Sequence, residues 1–91
     1  DPRATVATWL ALADTYAALG ASEPSLEAAR AAMALTDAAG ETLQRERADA
    51  LDAVIAALNA MDRFGEAEVL VAELVALREA QAAENPWALV N

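Results

Sequence analysis

The stretch WLALADTY, residues 9–16, carries the strongest structural signal in the chain. Large apolar residues recur through and beyond it at steps of three and four: Trp9, Leu12, Tyr16 and Leu19. This spacing places the four side chains on one face of an α-helix. The pattern therefore predicts an amphipathic helix over about residues 5–19, with this face in the core.

Three further helices are predicted, separated by glycine and proline breaks. Gly20 ends the first helix, and Ser22 caps a second that runs to Gly40. The third spans about 41–60 and the fourth about 66–83. The apolar stripe of the second helix is Leu26, Ala29 and Met33. That of the third is Leu43, Ala50, Leu51, Val54, Ile55, Leu58 and Met61, and that of the fourth is Ala67, Leu70, Val71, Leu74 and Leu77. Because no strand-like alternation of β-branched residues occurs, we expect an all-α fold of antiparallel helix pairs.

The composition of the 91 residues excludes several classes of function. Cysteine and histidine are absent, which removes disulfides, thiolate metal sites and the commonest general base. The formal charge is −9, so nucleic acid and anionic lipid should repel the chain. With no apolar run near the ~20 residues of a membrane helix and no visible signal peptide, we expect a cytoplasmic protein.

Carboxylates are plentiful, but their pattern does not predict catalysis. Asp49 and Asp52 share a helix face, yet catalytic carboxylates need burial or a neighbouring group that separates their pKa values. No histidine or lysine is present to activate Ser22, Ser25 or Tyr16 as a nucleophile. The glycines stand alone and form no phosphate loop. We therefore expect no enzymatic activity, no cofactor and no metal.

The chain also has the pattern of an internal repeat. The apolar positions of the first helix recur 42 residues later as Leu51, Val54, Ile55 and Leu58. The motif WxxLAxxY of residues 9–16 resembles the opening of a tetratricopeptide repeat, and the segment from Phe64 to Leu74 resembles its second half. The step of 42 exceeds the usual 34 of that family by about two helical turns. An ordinary four-helix bundle is the alternative.

This resemblance divides the chain into helix pairs. Residues 1–40 form pair one, residues 41–84 form pair two, and residues 85–91 start a third repeat or form a terminal extension. Repeat arrays need neighbours or polar caps for their terminal apolar faces. We therefore expect Trp87, Leu89 and Val90 to pack against the fourth helix or another chain.

The resemblance implies a right-handed superhelix whose first helices line a groove that binds a protein or peptide. The residues matched to that groove are Ala7, Leu10, Asp14 and Ala17, and then Asp49, Asp52, Ala56 and Asn59. Some members of the family hold a terminal carboxylate with lysine and asparagine, but Leu10 and Asp14 occupy the matched positions here. An acidic groove with small side chains favours a basic or small apolar partner. The alternative is that these acids only keep the chain soluble.

The sequence thus predicts a protein-binding or peptide-binding helical-repeat module. The abundance of alanine and the use of arginine without lysine are typical of GC-rich bacterial genomes, and the first residue is Asp1 rather than methionine. We therefore expect a segment of a larger bacterial regulatory or scaffolding protein. The alternative is a four-helix bundle for docking or homo-oligomerisation, in which exposed alanine and leucine stripes pair with a second copy.

Overall fold

The computed structural model describes residues 1–84, and only helices and turns occur there. The elements are α1 (Pro2–Ala18), α2 (Ser22–Ala39), a 3₁₀ helix (Gly40–Leu43), α3 (Gln44–Ala60) and α4 (Phe64–Glu84). The all-α prediction is confirmed for this range. No helix within it combines the length and apolar character needed to cross a membrane. The predicted packing of Trp87, Leu89 and Val90 lies outside the described residues.

The ends of α1 and α3 are built in the same way. Gly20 and Asp62 adopt positive φ angles of 75° and 60° just beyond these two helices. The next amide in each turn donates back to the helix: Ala21 N–H to the Tyr16 carbonyl and Arg63 N–H to the Leu58 carbonyl, both at 2.9 Å. This pairing satisfies carbonyls that would otherwise lack partners at a helix end. The predicted break at Gly20 is confirmed.

The starts of the helices differ from the predicted ones for local reasons. The Asp1 carboxylate accepts from the Arg3 amide at 3.0 Å, and Pro2 fits the first turn, so α1 begins three residues before the predicted Thr5. Ser22 is the first residue of α2 and not its cap, because Ala21 occupies the cap position. The 3₁₀ helix that begins at Gly40 replaces the predicted first turn of α3.

The helices form an open, sequential array. Each one packs against the next along the chain, and α1 also contacts α3. Short turns make consecutive helices antiparallel, and the predicted contacts of α1 with α2 and of α3 with α4 are present, but α2 packs against α3 as extensively. Within residues 1–84, α1 and α4 share no comparable interface. The array therefore has two ends, unlike a closed four-helix bundle in which the first and last helices would meet.

The core is centred on α3. Its predicted stripe is confirmed: Leu51, Val54, Ile55 and Leu58 are all buried. The predicted stripe of α1 is wrong at three of its four residues, because Trp9 is 37%, Leu12 39% and Leu19 75% exposed, whereas Tyr16 is half-buried. Val71 of the predicted α4 stripe is also 42% exposed. Helix α1 instead buries Val6 and Ala13 and half-buries Leu10. Within residues 1–84, α1 makes its extensive contacts with α2 and α3, and these leave Trp9, Leu12 and Leu19 exposed.

Candidate functional site

The residues matched to a groove lie on two adjoining helices, α1 and α3. The starts of these helices are joined by an ion pair between Arg3 Nε and Glu46 Oε2 at 3.2 Å. A second Arg3 nitrogen donates to the Thr42 carbonyl at 3.3 Å. Because α2 reverses the chain between them, α1 and α3 run in the same direction side by side. The two sets of predicted residues therefore occupy neighbouring helices.

Seven of the eight predicted residues are exposed: Ala7, Asp14, Ala17, Asp49, Asp52, Ala56 and Asn59. Leu10 is the exception. It is half-buried and packs against the small cluster of Val6, Ala32, Leu43 and Ala50. We therefore assign Leu10 to the contact between α1 and its neighbours. The seven exposed residues are called the candidate surface from here on.

The acids of this surface differ in how their charges are compensated. Asp52 Oδ2 accepts from Arg78 Nη2 of α4 at 2.5 Å, so its charge is neutralised within the molecule. Asp14 and Asp49 form no ion pair with any residue in the range 1–84. Uncompensated negative charge on the candidate surface is therefore carried by Asp14 and Asp49.

The separation of these two acids follows from the register of the helices. Helices α1 and α3 begin at Pro2 and Gln44, a step of 42 residues, so Asp49 stands level with Ala7. Asp14 lies two helical turns beyond Ala7, or about 10 Å further along the axis at 1.5 Å per residue. Adjacent helices also lie about 8–10 Å apart sideways, so the two acids are separated by about 13–14 Å. Side chains of an extended chain face the same side only at even spacings, and four residues cover about 13 Å. The surface thus presents two acids at the spacing of side chains four positions apart in an extended chain.

A cleft lies elsewhere in residues 1–84, at the end where α3 begins and α4 ends. Its volume is about 870 Å³, and it is lined by Arg3, Glu41, Thr42, Gln44, Arg45, Glu46, Arg78, Gln81, Ala82 and Glu84. None of the eight predicted residues belongs to it. Both arginines and glutamates line this cleft, so it offers no single charge sign to a ligand. Glu41 and Thr42 of this lining lie in the 3₁₀ helix Gly40–Leu43, which the sequence did not predict.

A second feature missed by the sequence is the apolar surface of the outer helices. Large exposed hydrophobic residues within residues 1–84 occur on α1, on α4 or next to α1: Trp9, Leu12, Leu19, Phe64, Val69, Val71 and Val75. A shallow depression of about 400 Å³ on α1 is lined by Ala4, Thr5, Thr8, Trp9 and Leu12. Periodicity correctly identified an apolar face on α1. It could not show that this face is exposed, because the sequence does not reveal that α1 lies at the edge of the array.

The remaining ion pairs occur between helices and at the start of α4. Arg47 of α3 bridges Asp37 of α2 and Glu73 of α4. At the start of α4, Arg63 donates to both carboxylate oxygens of Glu66, at 2.5 and 2.9 Å. These hydrogen bonds, with the nearby charges of Arg63 and Arg30, hold the pKa of Glu66 below its usual value. The same hydrogen bonding raises the pKa of Arg63.

Comparisons with known proteins do not identify a ligand. A scan against protein-family models, a search of curated proteins and a search of solved structures each find no match. Over residues 1–84, acidic side chains form no group of three or more that could hold a metal ion. Any ligand of this surface must therefore be inferred from its geometry and charge.

Proposed function

We propose that the chain is a non-catalytic helical-repeat module that binds an extended, basic segment of another protein along the adjoining faces of α1 and α3. One observation carries the proposal: Asp14 and Asp49 are exposed on neighbouring helices, and neither pairs with a residue in the range 1–84. Clefts and grooves lined by one sign of charge attract ligands of the other sign.

A tetratricopeptide-like organisation is supported by the regularity of the array. Helices α1 and α3 begin 42 residues apart, at Pro2 and Gln44, and α2 and α4 begin the same distance apart, at Ser22 and Phe64. The turn after α1 and the turn after α3 use the same hydrogen-bond pattern. The open order of packing is also what a repeat array requires. In that organisation, α1 and α3 would contribute the first helices of two successive repeats to one surface.

The surroundings of the two acids define the partner that we propose. Ala7 and Ala56 are small and exposed beside them, which lets another backbone approach closely. Arginine would suit the acids best, because its guanidinium forms bidentate hydrogen bonds with a carboxylate. The preferred ligand is therefore an extended segment with two basic residues four positions apart and small residues between them. Such exposed charges mainly raise the association rate, and salt lowers that rate.

The experiment uses a fluorescent nine-residue probe of alanine and serine with two arginines four positions apart. Binding to the chain is measured by fluorescence anisotropy at low and high salt. The double variant Asp14→Asn with Asp49→Asn is compared with a control, Glu27→Gln with Glu79→Gln, which removes the same charge from exposed positions on α2 and α4. We expect the first variant to weaken binding by about tenfold, near 1.4 kcal/mol, and the control to weaken it much less.

Two outcomes would overturn the proposal. Equal weakening by both variants would mean that the probe responds only to net charge and that the acids serve solubility. Binding that is indifferent to both salt and the two aspartates would place the ligand elsewhere. Circular dichroism of both variants provides the folding control, because all four substituted side chains are exposed and their loss should leave helicity unchanged.

A further inference from the structure

The interface between α2 and α3 is the reference for this inference. Ala29 of α2 belongs to the same buried cluster as Leu51 and Val54 of α3, and Met33 packs against that cluster. An ion pair between Arg47 and Asp37 also crosses this interface. The second helix of one pair is thereby joined to the first helix of the next. We call this the inner seam.

Each half of the inner seam has an uncovered counterpart at one end of the array. At the repeat step of 42, Leu51 and Val54 correspond to Trp9 and Leu12 on α1. The two α3 residues are at most 1% exposed, whereas the two α1 residues are 37% and 39% exposed. Helix α1 thus presents the α3 half of a seam with no helix of residues 1–84 against it.

The other half recurs at the opposite end. Ala29 and Met33 correspond, at the same step, to Val71 and Val75 on α4. Ala29 is fully buried, whereas the two valines are 42% and 50% exposed. Helix α4 thus presents the α2 half of a seam, again with no helix against it in residues 1–84.

We infer that a second copy of this chain occupies these surfaces, with α4 of one copy packed on α1 of the next as α2 packs on α3. Each molecule carries both halves of the seam, so a second copy is a complete partner. The contact continues an interface already formed inside the molecule. Because its two halves differ, the association is head-to-tail and produces open chains or closed rings. It uses the ends of the array and does not depend on the proposed groove.

The charges on α4 make this contact weaker than the inner seam. Glu68 and Arg78 stand where α2 has the buried Leu26 and Thr36. Arg78 is already paired with Asp52, so covering it leaves no unpaired ion, but Glu68 must remain at the rim. The net charge of −9 also makes copies repel one another. Salt screens that repulsion, so added salt should strengthen self-association while it weakens binding of a basic peptide.

Sedimentation velocity over a range of protein concentrations tests the inference. One variant, Trp9→Glu, blocks the α1 end, and another, Val71→Glu with Val75→Glu, blocks the α4 end. We expect the unsubstituted chain to form larger species as concentration and salt rise. Each variant alone should remain monomeric, because it keeps only one half of the seam. Their equimolar mixture should form a one-to-one dimer and nothing larger.

The mixture distinguishes head-to-tail packing from other contacts. If one variant still dimerises alone, the contact is symmetric and the inference is wrong. An unsubstituted chain that stays monomeric at millimolar concentration and high salt also overturns it. Leu12→Arg and Val75→Arg repeat the experiment if either first variant loses helicity. Association that persists in the Asp14→Asn, Asp49→Asn variant separates this interface from the proposed groove.

Discussion

Helices α1 and α3 have the same length, 17 residues each, and the same C-terminal turn, yet they are buried very differently. Helix α3 lies between α2 and α4 and buries seven residues, whereas α1 lies at an edge and buries only Val6 and Ala13. Trp9 is larger than Leu51 at the corresponding position but is far more exposed. Position in the array, not hydrophobicity alone, therefore decides which apolar residues form the core.

The difference in burial between α1 and α3 is tested most sharply by making the same substitution on both helices. Leu51→Ala removes a fully buried side chain and should lower the free energy of unfolding by about 2–5 kcal/mol. Leu12→Ala removes a side chain that is 39% exposed, and it should cost only about 1 kcal/mol because no enclosed cavity remains. Urea denaturation followed by circular dichroism gives both values. Equal losses would mean that α1 is covered as fully as α3.

The matching turns offer a second comparison, with effects of opposite sign. Gly20 has a φ of 75°, so Gly20→Ala should destabilise the chain by about 1–2 kcal/mol. Asp62 holds a φ of 60° with a side chain present, so Asp62→Gly should relieve strain and stabilise by up to about 1 kcal/mol. Thermal unfolding measures both. A stabilised Gly20→Ala variant would contradict the left-handed geometry after α1.

A buried hydroxyl distinguishes the first helix pair from the second. Ser25 Oγ donates to the Ala13 carbonyl at 2.8 Å, whereas the corresponding residue of α4 is Ala67. Ser25→Ala should cost about 0.5–1.5 kcal/mol, the usual net value of such a bond. Ser22→Ala serves as the control, because that side chain is less buried and is not the helix cap. Similar losses in the two variants would remove the assigned role of Ser25.

The smallest expected effect concerns the start of α4. The pKa of Glu66 is lowered in the folded chain, so its stabilising contribution is present above the ordinary pKa of glutamate and is lost as pH falls through the lowered value. The melting temperature of the unsubstituted chain should exceed that of Glu66→Gln near neutral pH, and the difference should vanish in acid. High salt should reduce it, because the pair is exposed. A difference in melting temperature that grows towards acid pH would contradict this prediction.

The sequence was sufficient to predict the local features of the fold. Spacing at three and four residues identified the helices, and isolated glycines marked two of the three breaks between them. The stripe from Leu51 to Leu58 was predicted correctly because α3 has neighbours on both sides. Where a helix is central, the face that periodicity selects is also the face that becomes buried.

Features that depend on neighbours could not be predicted in this way. Periodicity placed Trp9 and Leu12 on an apolar face, but it does not reveal whether another helix covers that face. It also could not anticipate that Asp52 pairs with Arg78, 26 residues further along the chain. Leu10 was matched to a groove by pattern alone, although contact between α1 and its neighbours half-buries it.

Mapping the bound arginine probe by nuclear magnetic resonance tests the proposed function most directly. Amide shifts of the ¹⁵N-labelled chain are followed as the probe is added at low salt. We predict that the largest changes occur at Asp14, Asp49 and Ala56, on the adjoining faces of α1 and α3. Changes spread equally over all exposed acids, including Glu27 and Glu79, would contradict the proposal and leave the acids as a solubilising surface.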